Sequence, residues 1–346
     1  LLRRAVFANK RDALMTAQPL TRGQGLQTTA VHTRFAPSPT GRLHLGHAFS
    51  AITAHDFARA QGGRFSLRIE DIDGTRSRPE HVDAILKDLE WLGLAWDGEV
   101  TFQSQRLHLY EAALDRLRGM GLLYPCFCTR ADIAASLSAP HGPEGALYPG
   151  TCRGRADADL TRPHSSRLDV QRALKILPRR GRGTAEGGGG VLAANDVARG
   201  EYPSTSFAGP PLPPGEDLLW HDAFAGWVAA DPLAHGDVIL ARKDAPASYH
   251  LAVTIDDAAQ GITHVIRGKD LFEATHVHRL LQALLDLPTP EYRHHGLLTG
   301  PDGQRLAKRH GAPTLESLRL AGEDGPALAD RLRAGQLPVG FAAAKA

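Results

Sequence analysis

The chain has 346 residues, 42% of them hydrophobic and 23% charged, with 40 Lys+Arg against 38 Asp+Glu and a formal net charge of +2. That length can bury a full core as one large α/β domain with insertions or as two domains, and it excludes a peptide module or a simple repeat array. The ordinary composition excludes a chain disordered throughout, and the near-balanced charge excludes a protein that coats nucleic acid nonspecifically, so any RNA contact must be local.

Residues 1–30 carry Arg3, Arg4, Lys10, Arg11 and Arg22 against Asp12 alone, without the apolar stretch of a secretory signal. They are expected to form a poorly ordered extension, with a basic transit-like segment as the alternative. Nowhere is there an apolar run long enough for a membrane span, and three cysteines without a signal point to a reducing compartment, with the cytoplasm as the default. Val31 to Ala36 reads as a strand, ended by the turn Pro37-Ser38-Pro39-Thr40-Gly41. A helix follows from His47 to Gln61, stopped by Gly62-Gly63, and Arg64 to Ile69 is the next strand. Strand, loop, helix and strand in so short a stretch make a βαβ unit, the opening of a doubly wound, mostly parallel nucleotide-binding sheet.

Two amphipathic helices, Pro79 to Trp91 and Gln105 to Met120, precede a cysteine-bearing segment at 126–177. Residues 178–215 hold nine Gly and six Pro, a composition that cannot bury enough surface to offset its ordering entropy. They read as a flexible insertion, with an RNA-contacting loop as the lesser reading. Regular pattern resumes with strands at Val238 to Ala241, Tyr249 to Thr254 and His264 to Ile266 and a helix at Leu271 to Leu285. The expected organisation is therefore a discontinuous catalytic domain at 31–125 and 217–312, an inserted unit at 126–177, a loose insertion at 178–216 and a short helical segment at 313–346.

The first chemical motif is Arg34-Phe35-Ala36-Pro37-Ser38-Pro39-Thr40-Gly41-Arg42-Leu43-His44-Leu45-Gly46-His47. Two imidazoles three residues apart at a helix start share one side of its first turn, where free N–H groups and the positive dipole end favour a phosphate. Gly46 between them would let a base or ribose approach the backbone. A His-x-x-His pair is by itself weak, since scattered histidines are more often surface or core residues. The full run resembles the ATP-binding signature of the class I aminoacyl-tRNA synthetases in their glutamyl and glutaminyl branch. Three further segments are similar to that branch in the same order: Arg68-Ile69-Glu70-Asp71-Ile72-Asp73, then Ser248 to Asp257 with Gly261 to Gly268, then Arg305-Leu306-Ala307-Lys308-Arg309 at the place of the lysine signature loop.

The resemblance implies a class I Rossmann-type catalytic fold that joins the glutamate carboxylate to the α-phosphate of ATP. Such a reaction needs positioning and charge stabilisation rather than an enzyme nucleophile. It implies His44, His47 and Lys308 as catalytic groups, ATP contacts at Pro37, Gly46, His44, His47 and Lys308, and Mg²⁺ accompanying ATP. Glutamate contacts are implied at Arg34, Phe35, Ala36, Pro37 and Ser38, with Glu70 for the ammonium, Arg34 and Arg267 for the carboxylates and Tyr249 as a hydrogen-bonding wall. For Glu70 and Tyr249 the bland alternatives are a strand-end charge and a core aromatic; Asp71 and Asp73 are left as helix caps or surface charges. The loop departs from the branch at Arg305, Ala307 and Arg309 and keeps Lys308.

Cys126-Phe127-Cys128 and Cys152 leave a tetrahedral zinc one ligand short. By resemblance Tyr148 completes a structural site, Zn²⁺ held by Cys126, Cys128, Tyr148 and Cys152; His141 or His164 would be more ordinary ligands, and reduced buried cysteines are the alternative reading. Only 37 residues follow Arg309, too few for an anticodon-binding domain. This shortness resembles the members of the branch that activate glutamate without tRNA and transfer it to queuosine at the wobble position of tRNA(Asp), whose anticodon arm would enter the active site of a monomer. A fragment of an ordinary glutamyl-tRNA synthetase, a non-catalytic RNA-binding descendant and an unrelated nucleotidyltransferase are the competing readings.

Overall fold

A computed structural model describes residues 30–135, 141–142, 145–155, 157–177, 218–299, 313–336 and 342–343. The expected extension at 1–30, except Ala30, the insertion at 178–216 and the lysine loop with Lys308 lie outside the described residues. In chain order the elements are β1 (His32–Phe35), α1 (Leu45–Ala60), β2 (Arg64–Ile69), α2 (Pro79–Trp91), β3 (Thr101–Phe102), α3 (Leu107–Gly119), β4 (Leu123–Cys126), α4 (Arg130–Ala135), β5 (His141–Gly142) and β6 (Gly145–Ala146). They continue with β7 (Ser165–Leu168), α5 (Val170–Ile176), β8 (Leu219–Asp222), β9 (Gly226–Ala229), β10 (Ile239–Ala241), α6 (Tyr249–Ala259), β11 (His264–Gly268), α7 (Ala274–Leu284), β12 (Glu291–His295), β13 (Leu298–Thr299), α8 (Leu315–Leu320), α9 (Gly325–Arg333) and β14 (Ala342–Ala343).

Two parallel blocks form the centre. Strands β1, β2 and β3 run parallel, and β11, β12 and β8 run parallel with β9 antiparallel at the edge. The blocks meet where the Thr263 N–H donates to the His32 carbonyl (3.0 Å) and the His32 N–H donates to Thr263 Oγ1 (2.8 Å). Both bonds lie at the starts of β1 and β11, so the carboxyl ends of these strands open on one side, at the junction where an open α/β sheet takes a ligand. The apolar side of α1 (Leu45, Ala48, Ala51, Ile52, Ala58) packs with Phe65, Leu67 and Ile85 in one core. A second core gathers Tyr110, Trp220, Leu251, Leu280 and Tyr292 around α3, α6, α7 and β8. A separate antiparallel sheet, β10-β7-β4, carries Cys126 at the end of β4, with Cys128 and Cys152 outside its strands, so the expected 126–177 unit shares its sheet with a strand from beyond the Gly/Pro segment.

One expected element is wrong. Tyr249 to Thr254 is the front of helix α6 rather than a strand. Ser248 caps it by accepting from the Leu251 N–H, the run continues through Asp256 and Asp257 to Ala259, and Gly261 at φ +66° follows the end. A helix buried on nearly every side shows no polar face, so its first six residues mimic a buried strand, and only the cap and the total length separate the two. Strands β8 and β12 went unassigned for a related reason: Glu291-Tyr292-Arg293-His294-His295 has no β-branched residue and owes its extended form to pairing with β11 in register. Among the described residues no helix is long and apolar enough to cross a membrane.

Candidate active site

A cleft of about 390 Å³ opens at the carboxyl ends of β1 and β11. Arg34, Phe35, Ala36, Pro37, Ser38, His44, Gly46, His47, Glu70, Tyr249 and Arg267 all line it, so every expected ATP and glutamate residue within the described chain faces one cavity. β1 delivers Arg34 and Phe35, β2 ends beside Glu70, α6 begins with Tyr249 and β11 delivers Arg267. Lys308 lies outside the described residues, but both flanks of its loop reach the site: Leu298 lines the cleft and Thr314 forms a bridge with His44.

The two histidines cap α1. His44 Nδ1 accepts from the Gly46 N–H (3.1 Å) and His47 Nδ1 accepts from the His44 N–H (3.2 Å), with the ring centroids 3.8 Å apart. Because each Nδ1 is an acceptor, each neutral ring carries its proton on Nε2. The first-turn N–H groups are therefore partly used by the motif itself, contrary to the expectation of a fully free helix start. Gly46 has a different reason as well: a Cβ there would stand 3.0 Å from the His44 ring. The glycine admits the imidazole of its own motif.

The side of the cleft expected to take glutamate is built from buried charge. Arg34 binds Asp257 with two donors, Nε to Oδ1 (2.9 Å) and Nη2 to Oδ2 (3.2 Å). Fully buried Arg68 donates to Asp257 Oδ1 (2.8 Å) and to Gln260 Oε1 (2.6 Å), and its Nη2 stands 4.0 Å from Glu70. Burial works to raise the Asp257 carboxyl, but the Arg34 and Arg68 guanidiniums hold it below the usual range. At Glu70 burial wins: the carboxyl is pushed up to about 7 although Arg68 and Arg34 oppose the shift. Arg267 is held by His294, Thr275 and the Leu271 carbonyl, and its Nη1 donates to the Tyr249 hydroxyl (3.3 Å). An anion between two fixed guanidiniums and an ammonium beside Glu70 would satisfy this constellation.

Other cleft residues carried no expectation. His295, whose Nε2 lies 2.7 Å from Ser50 Oγ, lines it, as do Phe49, Asp270 and Leu271. Asp257 lay inside a matched segment without a role, and nothing in its spacing marked it as the partner of Arg34. Asp71 and Asp73 brace loops: Asp71 accepts from the Ser104 N–H and hydroxyl, and Asp73 from Thr75, Arg76 and Arg242.

The cysteine unit gathers as expected. The three thiols lie within 4.8 Å of one another, with Cys128 Sγ 3.7 Å from Cys152 Sγ and 3.8 Å from the Tyr148 hydroxyl. Four ligands at about 2.3 Å around one ion would stand about 3.8 Å apart, so the group has the size of a tetrahedral thiolate site. Burial pushes Cys128 up to about 11; it also works to raise Cys152, but hydrogen bonds from Tyr148 and the Phe127 backbone, with the other thiols, bring that thiol down to about 7. The Tyr148 hydroxyl accepts from the Cys152 N–H (2.7 Å), and the Arg167 guanidinium lies 3.8 Å from its ring centroid. His164 stands apart, its Nδ1 bonded to the Arg162 carbonyl, and the His141 side chain lies outside what is described.

Residues 30–144 and 212–333 match the family described as tRNA synthetases class I (E and Q), catalytic domain. A protein of Rhodobacter capsulatus named glutamyl-Q tRNA(Asp) synthetase is 48% identical over 299 residues, which cover 84% of this chain and 95% of its own. A protein of the same name from Symbiobacterium thermophilum is 43% identical, over 84% of this chain and 81% of its own. A solved structure described as a glutamate tRNA ligase from Elizabethkingia meningosepticum, in complex with its amino acid, is similar with a TM-score of 0.57 at 25% identity, over 83% of this chain. The chain spans about half of that ligase, 54% of its length. With matching order of motifs, cleft and parallel sheet, the chain belongs to the class I tRNA synthetases of the glutamate and glutamine type, alongside relatives named glutamyl-Q tRNA(Asp) synthetase.

Proposed function

We propose that this protein is a ligase that activates L-glutamate with ATP in the absence of tRNA and transfers the glutamyl group to queuosine at the wobble position of tRNA(Asp). The observation that carries the reading is the single cleft in which the His44 and His47 pair faces Arg34, Glu70, Tyr249 and Arg267, in a chain that matches nearly the whole length of a relative named for that reaction. In the first step a glutamate carboxylate oxygen attacks the α-phosphorus and pyrophosphate leaves. His44 and His47, each an Nε2–H donor, hold the α-phosphate region, and Lys308 balances the charge of the departing pyrophosphate; Mg²⁺ brought by ATP would add positive charge there. Arg34 and Arg267 hold the carboxylates and Glu70 the ammonium, fixing the nucleophile against phosphorus. In the second step a hydroxyl of the queuosine cyclopentene-diol attacks the acyl carbon and AMP leaves.

Cys126, Cys128, Cys152 and Tyr148 are the residues that would hold a structural Zn²⁺, a closed site that stabilises the sheet of β4, β7 and β10 rather than acting on substrate. The catalytic domain is proposed to comprise 31–125 and 217–312 with the cysteine unit inserted between them. The test is glutamate-dependent ATP–pyrophosphate exchange without tRNA, followed by transfer of labelled glutamate to tRNA(Asp) with and without queuosine. Exchange without tRNA and transfer only to queuosine-bearing tRNA(Asp) are expected. Exchange that appears only on adding tRNA(Glu) would instead assign an ordinary glutamyl-tRNA synthetase activity.

A further inference from the structure

Arg267 reaches the cleft at the end of a hydrogen-bonded chain that starts well outside it. Asp222, at the end of β8, accepts at Oδ1 from the Phe224 and Ala225 N–H groups (2.9 and 3.0 Å) and at Oδ2 from the His294 N–H (3.0 Å). His294 Nδ1 lies 2.8 Å from the same Oδ2, and both side chains are almost completely buried. Burial works to raise the Asp222 carboxyl, but the N–H groups around it hold it below the usual range. An ionised carboxylate only accepts, so His294 carries its proton on Nδ1 and offers Nε2 as an acceptor. Nε2 is where Arg267 Nε donates, at 3.0 Å. The ring stands parallel to Tyr292, 4° between planes, and edge-on to Trp220, which leaves it one orientation.

A second imidazole completes the cradle. Arg267 Nη1 stands 3.4 Å from His278 Nδ1, which must accept because a guanidinium only donates; His278 Nε2 then donates to His250 Nδ1 at 3.2 Å. Burial and the Arg267 charge push His294 down to about 3 and His278 well below its ordinary value, so both rings are neutral as the chain requires. Each imidazole thus fixes one side of the guanidinium; Arg267 lines the cleft, and a substrate carboxylate would take over the long Nη1 contact to the Tyr249 hydroxyl (3.3 Å).

We propose that His294, its tautomer fixed by Asp222, is a positioning residue that sets the plane in which the Arg267 guanidinium meets a substrate carboxylate. The assignment rests on the reading of the cleft as a glutamate site. A buried Asp–His–Arg chain of this kind does the work of an outer ligand layer: it holds the binding group in its productive pose before substrate arrives, so its loss appears as weaker substrate binding and not as slower chemistry.

The experiment compares His294→Phe, which keeps a flat ring against Tyr292 and Trp220 but removes both nitrogens, with His294→Gln, whose side-chain oxygen restores an acceptor near the Nε2 position. Steady-state pyrophosphate exchange is measured for glutamate, glutamine and ATP. Wild type should depend on glutamate. His294→Phe should raise KM for glutamate about tenfold and lower the preference for glutamate over glutamine by a similar factor, with kcat and the KM for ATP within about twofold. His294→Gln should recover most of the loss. If His294→Phe fails to fold, Asp222→Asn makes the same comparison: its NH2 must face either the Phe224 and Ala225 N–H groups or the His294 N–H and Nδ1, so the hold on the ring, and through it on Arg267, loosens in either orientation. An unchanged KM, or equal falls of kcat in the Phe and Gln variants with KM unmoved, overturns the positioning role while leaving the glutamate reading intact. Wild type that exchanges without regard to glutamate overturns both.

Discussion

At the scale of single residues, Glu70 decides how the cleft responds to pH. Burial holds its carboxyl near 7 against the attraction of Arg68 and Arg34, and in the role proposed for it only the carboxylate form holds a substrate ammonium. Below pH 7 binding must therefore first remove a proton. The kcat/KM for glutamate should fall by up to about tenfold per pH unit as pH drops below about 7 and level off above it; a pH profile measures this. Glu70→Gln should flatten that step and lower kcat/KM by roughly 100-fold, while KM for ATP stays near wild type. Glu70 was legible as a candidate from its motif, but its proton affinity was not, because that is set first by burial of the carboxyl in the packed cleft and then by Arg68 and Arg34, which come from two different strands.

At the scale of elements, α8 and α9 hold the side of the cleft where His44 stands, the side proposed for the nucleotide. Thr314, just before α8, bridges to His44, Arg42 pairs with Glu316 (2.9 Å), and the Leu315 N–H donates to the Leu43 carbonyl (2.9 Å). Helix α9 buries Leu328, Ala329 and Leu332 in the core of α1 and α2. Its first residue sits so close to α2 that a Cβ on Gly325 would overlap the Trp91 carbonyl, so Gly325→Ala should destabilise the protein by about 1–3 kcal/mol. Thermal or urea unfolding measures the loss, and the displaced helix should raise KM for ATP more than KM for glutamate. The cysteine unit makes its own prediction. Stoichiometric zinc should vanish in Cys128→Ser with a fall in Tm, and Tyr148→Phe should weaken retention against a chelator; full retention in Tyr148→Phe would remove the phenol from the ligand set while keeping the site.

At the scale of the whole molecule, the cleft belongs to neither parallel block alone. β1 and β2 bring Arg34 and Glu70, while β11 and α6 bring Arg267 and Tyr249, and the blocks are joined at the far ends of β1 and β11. Ligands that touch both blocks stabilise the joined state by mass action. ATP with Mg²⁺ and glutamate, each at about 100 times its Kd, should each add about 2.7 kcal/mol of stability, read as a rise in Tm that glutamine reproduces only weakly. The joint itself was not readable from the chain: Thr263 and His32 are 231 positions apart, and no periodicity connects them.

The amino-acid sequence by itself determined the βαβ opening, the placing of two histidines at the start of α1 and the order of the motifs, because each is written in local spacing or in a matched run; Tyr148 beside the three thiols was implied by the resemblance alone. It mistook the start of α6 for a strand and passed over β8 and β12, because burial on all sides erases the polar face that reveals a helix and leaves a polar strand to be set by its neighbours. Only the tertiary structure decided that Asp257 clamps Arg34 and that Asp222 acts on Arg267 through His294. Those contacts are made by side chains from distant strands and from helix α6, and the energies that matter there, the burial of charge and the fixing of a proton on one ring nitrogen, arise only when these elements are packed.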